Sequence, residues 1–317
     1  MTEPDGTAGA VSTGFRSGFA CFVGRPNAGK STLTNAIVGA KIAIASSKPQ
    51  TTRHAIRGIV HRADAQLVLI DTPGLHRPRT LLGERLNDVV RATWTEVDVV
   101  GVCLPSNERI GPGDTYLVGE IAKLPKRPNL VAVATKSDLV SPTRMAEHLM
   151  RIAALEEQLQ ITWAHIVPVS AVGNDQLDEL ADTLVSLLPS GPPLYPDGEI
   201  TDEPEATLVA ELIREVALEG VRDELPHSIT VVVEEMNLRE GRPADRPLLD
   251  VYASMIVERD SQKGIIIGHR GSRLRDLGTA ARHQIETLLG TPVHLDLRVK
   301  VLKEWQRDPK HLNRLGF

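Results

Sequence analysis

Over the first 188 residues, short apolar runs alternate with stretches of helical spacing. Phe19–Val23, Val97–Leu104, Leu130–Ala134 and Ile166–Val169 are apolar almost throughout, the pattern of strands buried on both faces. Ala55–His61 and Gln66–Ile70 are two more strand candidates, joined by the polar turn Arg62–Ala65. Helical spacing occupies Lys30–Val38, Leu82–Thr95, Asp114–Ala122, Thr143–Gln158 and Leu177–Leu188. The alternation predicts an α/β unit, a mostly parallel sheet with helices on both faces.

The order then changes. Pro189–Gly198 holds four prolines and two glycines, which neither a helix nor a sheet interior accepts, so it reads as a linker. Beyond it come a helix (Ala206–Arg222), two strands (Ser228–Met236 and Leu249–Arg259) and a short helix at Lys263–Ile267. A longer helix, Gly271–Leu289, is stopped by Gly290 and Pro292, and a strand, Val293–Leu302, follows. This second unit is α-β-β-α-α-β. The predicted organisation is a disordered segment over 1–17, a first domain over 18–188, a linker over 189–204, a second domain over 205–305 and a tail over 306–317.

Charge sharpens the division. The 317 residues carry 36 Lys+Arg and 41 Asp+Glu, net −5. From Lys263 to Phe317 there are eleven basic residues against five acidic, so a basic piece sits on an acidic body and calls for an anionic partner. The acidic stretch Asp197–Glu224, with ten acids and two arginines, reads as a solvated helix face. A sharper alternative is a surface that repels phosphate or contacts the basic region. Cys21 and Cys103 lie in apolar runs, read as core, and match no metal spacing. No run approaches the ~18 apolar residues of a membrane helix, and Met1–Ser17 resembles no targeting peptide. A cytoplasmic setting is expected.

Gly24-Arg-Pro-Asn-Ala-Gly-Lys30-Ser31 follows a strand and opens a helix, where G-x-x-x-x-G-K-[ST] cradles phosphates on backbone N–H groups. Gly24, Arg25, Pro26, Asn27, Ala28, Gly29, Lys30, Ser31 and Thr32 are therefore candidates for a nucleoside-triphosphate site. Lys30 would reach the β- and γ-phosphates and Ser31 would ligate Mg²⁺. Asp71-Thr72-Pro73-Gly74 follows the strand Gln66–Ile70; Asp71 can hold Mg²⁺ through water and the Gly74 N–H can bind a γ-phosphate. Gln50-Thr-Thr-Arg53 lies between them. A threonine there can ligate Mg²⁺ only while a γ-phosphate holds the loop, and Thr52 is preferred over Thr51. Lys30, Thr52 and Gly74 are the candidate catalytic groups.

Base choice falls to Thr135-Lys136-Ser-Asp138. The Asp138 carboxylate can accept from N1–H and N2–H₂ of guanine, which adenine lacks, and the Lys136 stem can lie over the base. Val169-Ser170-Ala171 can offer a backbone N–H to O6. Together these motifs resemble the small GTP-binding proteins, with one departure: Thr135 stands where the pattern has Asn, and a hydroxyl has fewer hydrogen-bonding sites than an amide. Guanine selectivity is expected to survive on Asp138. Leu75 occupies the place where many such GTPases carry a water-orienting glutamine, so slow hydrolysis is expected. In related proteins the phosphate-loop asparagine coordinates K⁺; here that is Asn27, whose alternative role is that of a turn former.

Ile265-Ile266-Ile267-Gly268-His269-Arg270-Gly271 places a G-x-x-G loop between two helices, with Arg273, Arg275 and Arg282 on the second and Lys300, Lys303 and Arg307 beyond. Embedded in α-β-β-α-α-β, it resembles a type II KH domain, a clamp for about four single-stranded nucleotides. The candidate RNA contacts are Ile266, Ile267, Gly268, His269, Arg270, Gly271, Arg273 and Arg275.

A P-loop GTPase domain followed by an α+β type II KH domain resembles the Era family, bacterial GTPases of small-subunit assembly, over about residues 18–310. The end, Leu315-Gly-Phe317, resembles the family's too. The resemblance implies GTP/GDP and Mg²⁺ as ligands and binding of the 3′ end of 16S rRNA and the 30S subunit, tighter with GTP. It also implies a monomer, and partial peripheral association with the inner face of the cell membrane, for which no amphipathic anchor stands out. The rival readings are a GTPase component of an RNA-modification system, a KH protein whose nucleotide site is weakened at Thr135, and an ATPase.

Overall fold

The computed structural model describes residues 14–46, 51–76, 78–219, 228–243 and 245–317. Two sheets organise them. The first contains β1 (Arg16–Val23), β2 (Ile56–His61), β3 (Ala65–Asp71), β4 (Val99–Cys103), β5 (Asn129–Ala134) and β6 (His165–Pro168), in the order β2-β3-β1-β4-β5-β6. Only β2 runs antiparallel to its neighbour. Helices α1 (Lys30–Val38), α2 (Leu81–Glu96), α3 (Pro112–Ala122), α4 (Pro142–Leu159) and α5 (Leu177–Ser186) cover both faces. Cys21 and Val23 of β1 enter one apolar layer with Trp94, Ile121 and Ile152. Ala20 and Phe22 enter the other with Leu33, Leu180 and Leu184. Strands covered on both sides have no polar face, which is why they read as continuous apolar runs. The loops after the carboxyl ends of β1, β3, β5 and β6 share one rim, where open α/β sheets hold their ligands.

The second sheet is β7 (Thr230–Leu238), β8 (Leu249–Val257) and β9 (Val293–Val301), in that order, β7 antiparallel and β9 parallel to β8. Helices α6 (Glu205–Glu219), α7 (Asp260–Ile267) and α8 (Ser272–Leu289) pack on it around Leu212, Ile213, Met255, Ile266, Ala281 and Ile285. This is the expected α-β-β-α-α-β order. Both cysteines are buried and unpaired, as expected. No helix among the described residues is long and apolar enough to cross a membrane.

The structure corrects two expectations, for 1–17 and for the acidic helix, and adds packing contacts to two, the linker and the tail. The segment 1–17 was read as disordered, yet Arg16 and Ser17 belong to β1, paired with Ala65 and Gln66; residues 1–13 lie outside the described residues. The proline-rich linker is laid along the first sheet. Buried Gln66 accepts from the N–H groups of Leu194 (2.6 Å) and Tyr195 (2.9 Å) and donates to the Tyr195 carbonyl (2.9 Å), while Gly191 N–H donates to Phe15 O (3.1 Å). The tail continues into α9 (Pro309–Arg314), and Trp305 and Leu312 are fully buried against Leu82 and Leu86 of α2. These apolar residues look scattered in sequence because their cover comes from the other unit. The acidic helix is also not a solvated face: Glu211, Arg214 and Glu215 are buried. Arg222, Asp223 and Glu224 lie outside the described residues.

Candidate nucleotide site and nucleic-acid groove

The loop Gly24–Ser31 turns from β1 into α1. Gly29 adopts φ 92°, a conformation that favours glycine, and the turn aims the first amides of α1 inward. Lys30 Nζ folds back to 3.2 Å from the carbonyls of Gly24 and Arg25. Burial pulls its pKa down and the Asp71 carboxylate pulls it up. Pro26, Asn27, Gly29, Lys30, Ser31, Thr32, Thr52, Gly74 and Lys136 line one cavity of about 460 Å³, together with Thr51, the alternative to Thr52, and with Ile44, Ala45 and Ser46, which the motifs had not singled out.

Some predicted contacts are not in that wall. The Arg25 side chain turns away, its Nε donating to Asp114 (2.7 Å) and its Nη2 lying 3.2 Å from Glu108, so only its backbone serves the loop. Gly24 and Ala28 are buried beneath the loop. Thr72 and Pro73 are buried in their turn instead of facing the cavity. Leu75 packs on the first core, and His76 is held by Asn87 of α2 (3.3 and 2.7 Å).

Ser31 Oγ and Thr52 Oγ1 donate to the same oxygen of Asp71, Oδ2, at 2.8 and 3.0 Å, and lie 3.1 Å apart. Asp71 is fully buried, and its Oδ1 has no partner among the described residues. Burial pushes its carboxyl pKa up, against the Ser31 and Thr52 hydroxyls and Lys30. Two hydroxyls converging on a carboxylate with one unengaged oxygen make a hard oxygen donor set that fits Mg²⁺. The choice of Thr52 matches this geometry, since Thr51 faces the second unit with its carbonyl. Lys48 and Gln50 of the same loop lie outside the described residues.

Thr135 follows β5, and its Oγ1 donates to the Ala28 carbonyl at 2.8 Å, tying the base-reading strand end to the phosphate loop. Lys136 takes φ 59° beside the cavity. Asp138 is exposed, with Oδ1 accepting from buried Ser170 Oγ at 2.5 Å. Ser170 in turn accepts from Gly173 N–H (2.8 Å), so it positions Asp138 more than it lines the cavity. Ala171 follows at the rim.

In the second unit, Gly268 caps α7 with φ 70°, and a Cβ there would lie 2.7 Å from the Arg273 Cβ. The loop exposes His269 and Arg270. Gly271 and Arg275 open a groove of about 420 Å³ that runs between α8 and β9 past Gly278, Arg282 and His294. Ile266 must be corrected: it is fully buried in the second core and supports the loop without reaching a ligand. Ile267 also packs on that core, while neighbouring Ile265 is exposed. The groove residues Gly278 and His294 were missed, although Gly271, Arg275, Gly278 and Arg282 recur on one face at helical spacing.

Residues 19–136 match the family described as 50S ribosome-binding GTPase, and residues 224–306 match the KH domain family. The chain is 68% identical over 307 residues to the GTPase Era of Streptomyces coelicolor, covering 97% of this chain and 96% of that protein. It is 62% identical over 305 residues to the GTPase Era of Mycolicibacterium smegmatis, covering 96% and 100%. The chain belongs to the Era GTPase family. A crystal structure of Era with MgGDPNP and nucleotides 1506–1542 of 16S ribosomal RNA superposes with a TM-score of 0.89 at 35% identity, covering 95% of this chain and 99% of that one. An Aquifex aeolicus Era variant bound to GDP·AlF₄⁻ also gives a TM-score of 0.89, at 34% identity, with the same coverage. The chain is thus a GTPase with a P-loop domain and a KH domain.

In this Era chain the residues around Thr52 are held by the KH side. Arg214 of α6 donates from Nη2 to the Thr51 carbonyl and grips Glu211 with two bonds (2.9 and 2.6 Å). Arg53 donates to the Ile229 carbonyl (2.7 Å) and lies 5.6 Å from the centre of the Trp305 ring. His54 stacks on Phe317 (4.8 Å between centroids), whose carbonyl accepts from Arg85 of α2 (2.5 Å). Burial pulls the Arg53 guanidinium down to about 9, still charged at neutral pH. Burial works to raise the Glu211 carboxyl, but Arg214, His54 and Arg53 outweigh it and hold the group below its ordinary value. No spacing rule pointed to this cluster.

Proposed function

We propose that this chain is a GTP-switched protein that binds the 3′ end of 16S rRNA through the groove beside Gly268–Gly271 and assists 30S assembly and rRNA maturation. The observation that carries the reading is the grip on Thr52: its hydroxyl meets Ser31 and Asp71, while Thr51 and Arg53 on either side bond to Arg214 and Ile229 of the KH side. The crystal structure of a relative with MgGDPNP and that RNA supports it. With GTP bound, Ser31, Thr52 and, through water, Asp71 would hold Mg²⁺, which offsets phosphate charge, while Lys30 and the loop amides hold the phosphates. Gly74 N–H would report the γ-phosphate, and the pair Thr52 and Gly74 would translate its presence into the packing of the two units. Without a glutamine after Gly74, hydrolysis by the isolated chain is slow. Asn27 is the residue that would hold K⁺.

Residues 16–188 and 205–305 act as the two functional domains, with 189–204 as the strap between them. The protein works as a monomer on the small subunit in the cytoplasm, with peripheral association at the inner membrane face as described for the family. The test is a titration of labelled 16S 3′-end RNA at fixed salt with a non-hydrolysable GTP analogue and with GDP. Tighter binding with the analogue is expected, and equal binding in both states overturns the switch.

A further inference from the structure

We infer that residue 135 leaves one edge of the guanine base unread, so that nucleotides altered at position 7 of the purine bind this chain as well as the natural ones do. The inference rests on the guanine-nucleotide reading above and concerns how the base is selected. Thr135 is buried, and its Oγ1 lies 2.8 Å from the carbonyl of fully buried Ala28. A carbonyl oxygen only accepts, so the Thr135 hydroxyl is the donor. It has one proton, and that proton is committed to the phosphate loop. Toward the cavity the hydroxyl can then only accept.

Guanine offers two kinds of edge. N1–H and N2–H₂ are donors, which the Asp138 carboxylate matches. The opposite edge presents N7 and O6, both acceptors. The Ala171 N–H can serve O6. With its one proton held by the Ala28 carbonyl, the Thr135 hydroxyl has no donor left for N7. An asparagine there would differ in kind, because its amide carries two N–H donors, one for Ala28 O and one for N7. Lys136 lines the cavity with its ammonium 3.9 Å from Glu108, and its stem is the part placed to lie over the base. Thr135 therefore keeps the structural half of the task and drops the recognition half, and purine selection falls on Asp138 and Ala171.

The experiment uses the full chain and measures displacement of a fluorescent guanine nucleotide by GDP, 7-deaza-GDP and ADP. In 7-deaza-GDP a C–H replaces N7 and the other hydrogen-bonding groups are unchanged. The parent chain should bind GDP and 7-deaza-GDP within about 2-fold of each other. Thr135→Asn should open a preference for GDP of roughly 10-fold, since its second N–H then faces a C–H in a buried site. Thr135→Val, which loses the bond to Ala28, should weaken GDP and 7-deaza-GDP by the same factor. A parent preference of 10-fold or more for GDP overturns the inference, as does a Thr135→Asn variant that shows no preference. Displacement by ADP as effective as displacement by GDP would instead overturn the guanine reading itself, and the inference with it.

Discussion

If the grip of α6 on Thr51 links nucleotide to RNA, removing it should uncouple the two sites without unfolding either. Arg214 is fully buried and Glu211 nearly so. Arg214→Met alone would leave Glu211 as a buried carboxylate without its main partner, at a cost of about 3–5 kcal/mol. The informative change is the pair Glu211→Gln with Arg214→Met, which removes one charge of each sign and keeps similar volumes. Replacing a buried ion pair in that way is often neutral or stabilising, so the urea midpoint should stay close to the parent's. What is lost is the charged hydrogen bond from Arg214 to the Thr51 carbonyl. Bonds to charged groups contribute about 1.5–3 kcal/mol, roughly a 10- to 150-fold effect. The ratio of RNA affinities with GTP analogue and with GDP should therefore fall at least 10-fold, or to unity if the parent's ratio is smaller. Linkage requires the same fall in the RNA-induced gain in analogue affinity. A double variant of parental stability whose ratio is also parental would refute the reasoning.

Three further outcomes follow from particular side chains. Arg270→Ala, at the exposed tip of the G-x-x-G loop, should weaken RNA binding for all sequences and lower the salt-dependence slope by about 0.7–1; an unchanged slope would show that Arg270 meets no phosphate. Trp305→Ala should cost about 3–5 kcal/mol of stability in urea unfolding, because Trp305 is fully buried and its indole N–H donates to Ser228 O (3.2 Å); a loss under 1 kcal/mol would mean the tail does not pack as described. Burial lowers the pKa of His148 below 6.5, against the bond its ring N–H makes to Leu104 O (3.2 Å). The folded chain then binds fewer protons there than the unfolded one, so this contribution is complete above pH 6.5 and is lost as the pH falls toward the depressed value. His148→Asn should flatten the fall in stability between roughly pH 7 and 5, and an identical slope in the variant would exclude the site.

Much of this was legible because single elements carry their own chemistry. The phosphate loop sits between a continuous apolar run and a helical one, so position and residue type coincide at Lys30 and Ser31. The same holds for Asp71 at the end of β3 and for Gly268–Gly271 between two helices. What escaped reading depends on a partner far along the chain. Arg25 looked like a phosphate ligand until Asp114, 89 residues away, took its side chain. Ile266 sits inside a recognition motif but on the helix face that meets the second core. Glu211 and Arg214 look like solvated charges on α6, and only the approach of Thr51 and Arg53 makes them buried ones. Trp305 and Phe317 carry no periodicity, since their neighbours Leu82, Leu86 and His54 belong to the other unit.

The spacing of those inter-unit contacts limits how the switch can work. Thr51, Thr52, Arg53 and His54 are consecutive, and an extended chain advances only about 3.3–3.6 Å per residue. A displacement of Thr52 from Asp71 by more than one such step must therefore strain the bonds of Thr51 to Arg214, of Arg53 to Ile229 and the stack of His54 on Phe317. A switch through these four residues would therefore have to move them as one element, biased from both ends. Driving such an element from 1:99 to 99:1 takes about 5.5 kcal/mol of differential binding. A γ-phosphate would reach it through Mg²⁺ at the Thr52 hydroxyl and through the Gly74 N–H; with each contact taken at the scale of a charged hydrogen bond, about 1.5–3 kcal/mol, the two total roughly 3–6. Nucleotide alone then supplies between about half and all of the required bias, and RNA in the groove would supply any remainder. At the lower end of that range full engagement needs both ligands, whereas at the upper end nucleotide alone suffices, so the RNA dependence of the analogue's affinity measures where in the range this chain lies.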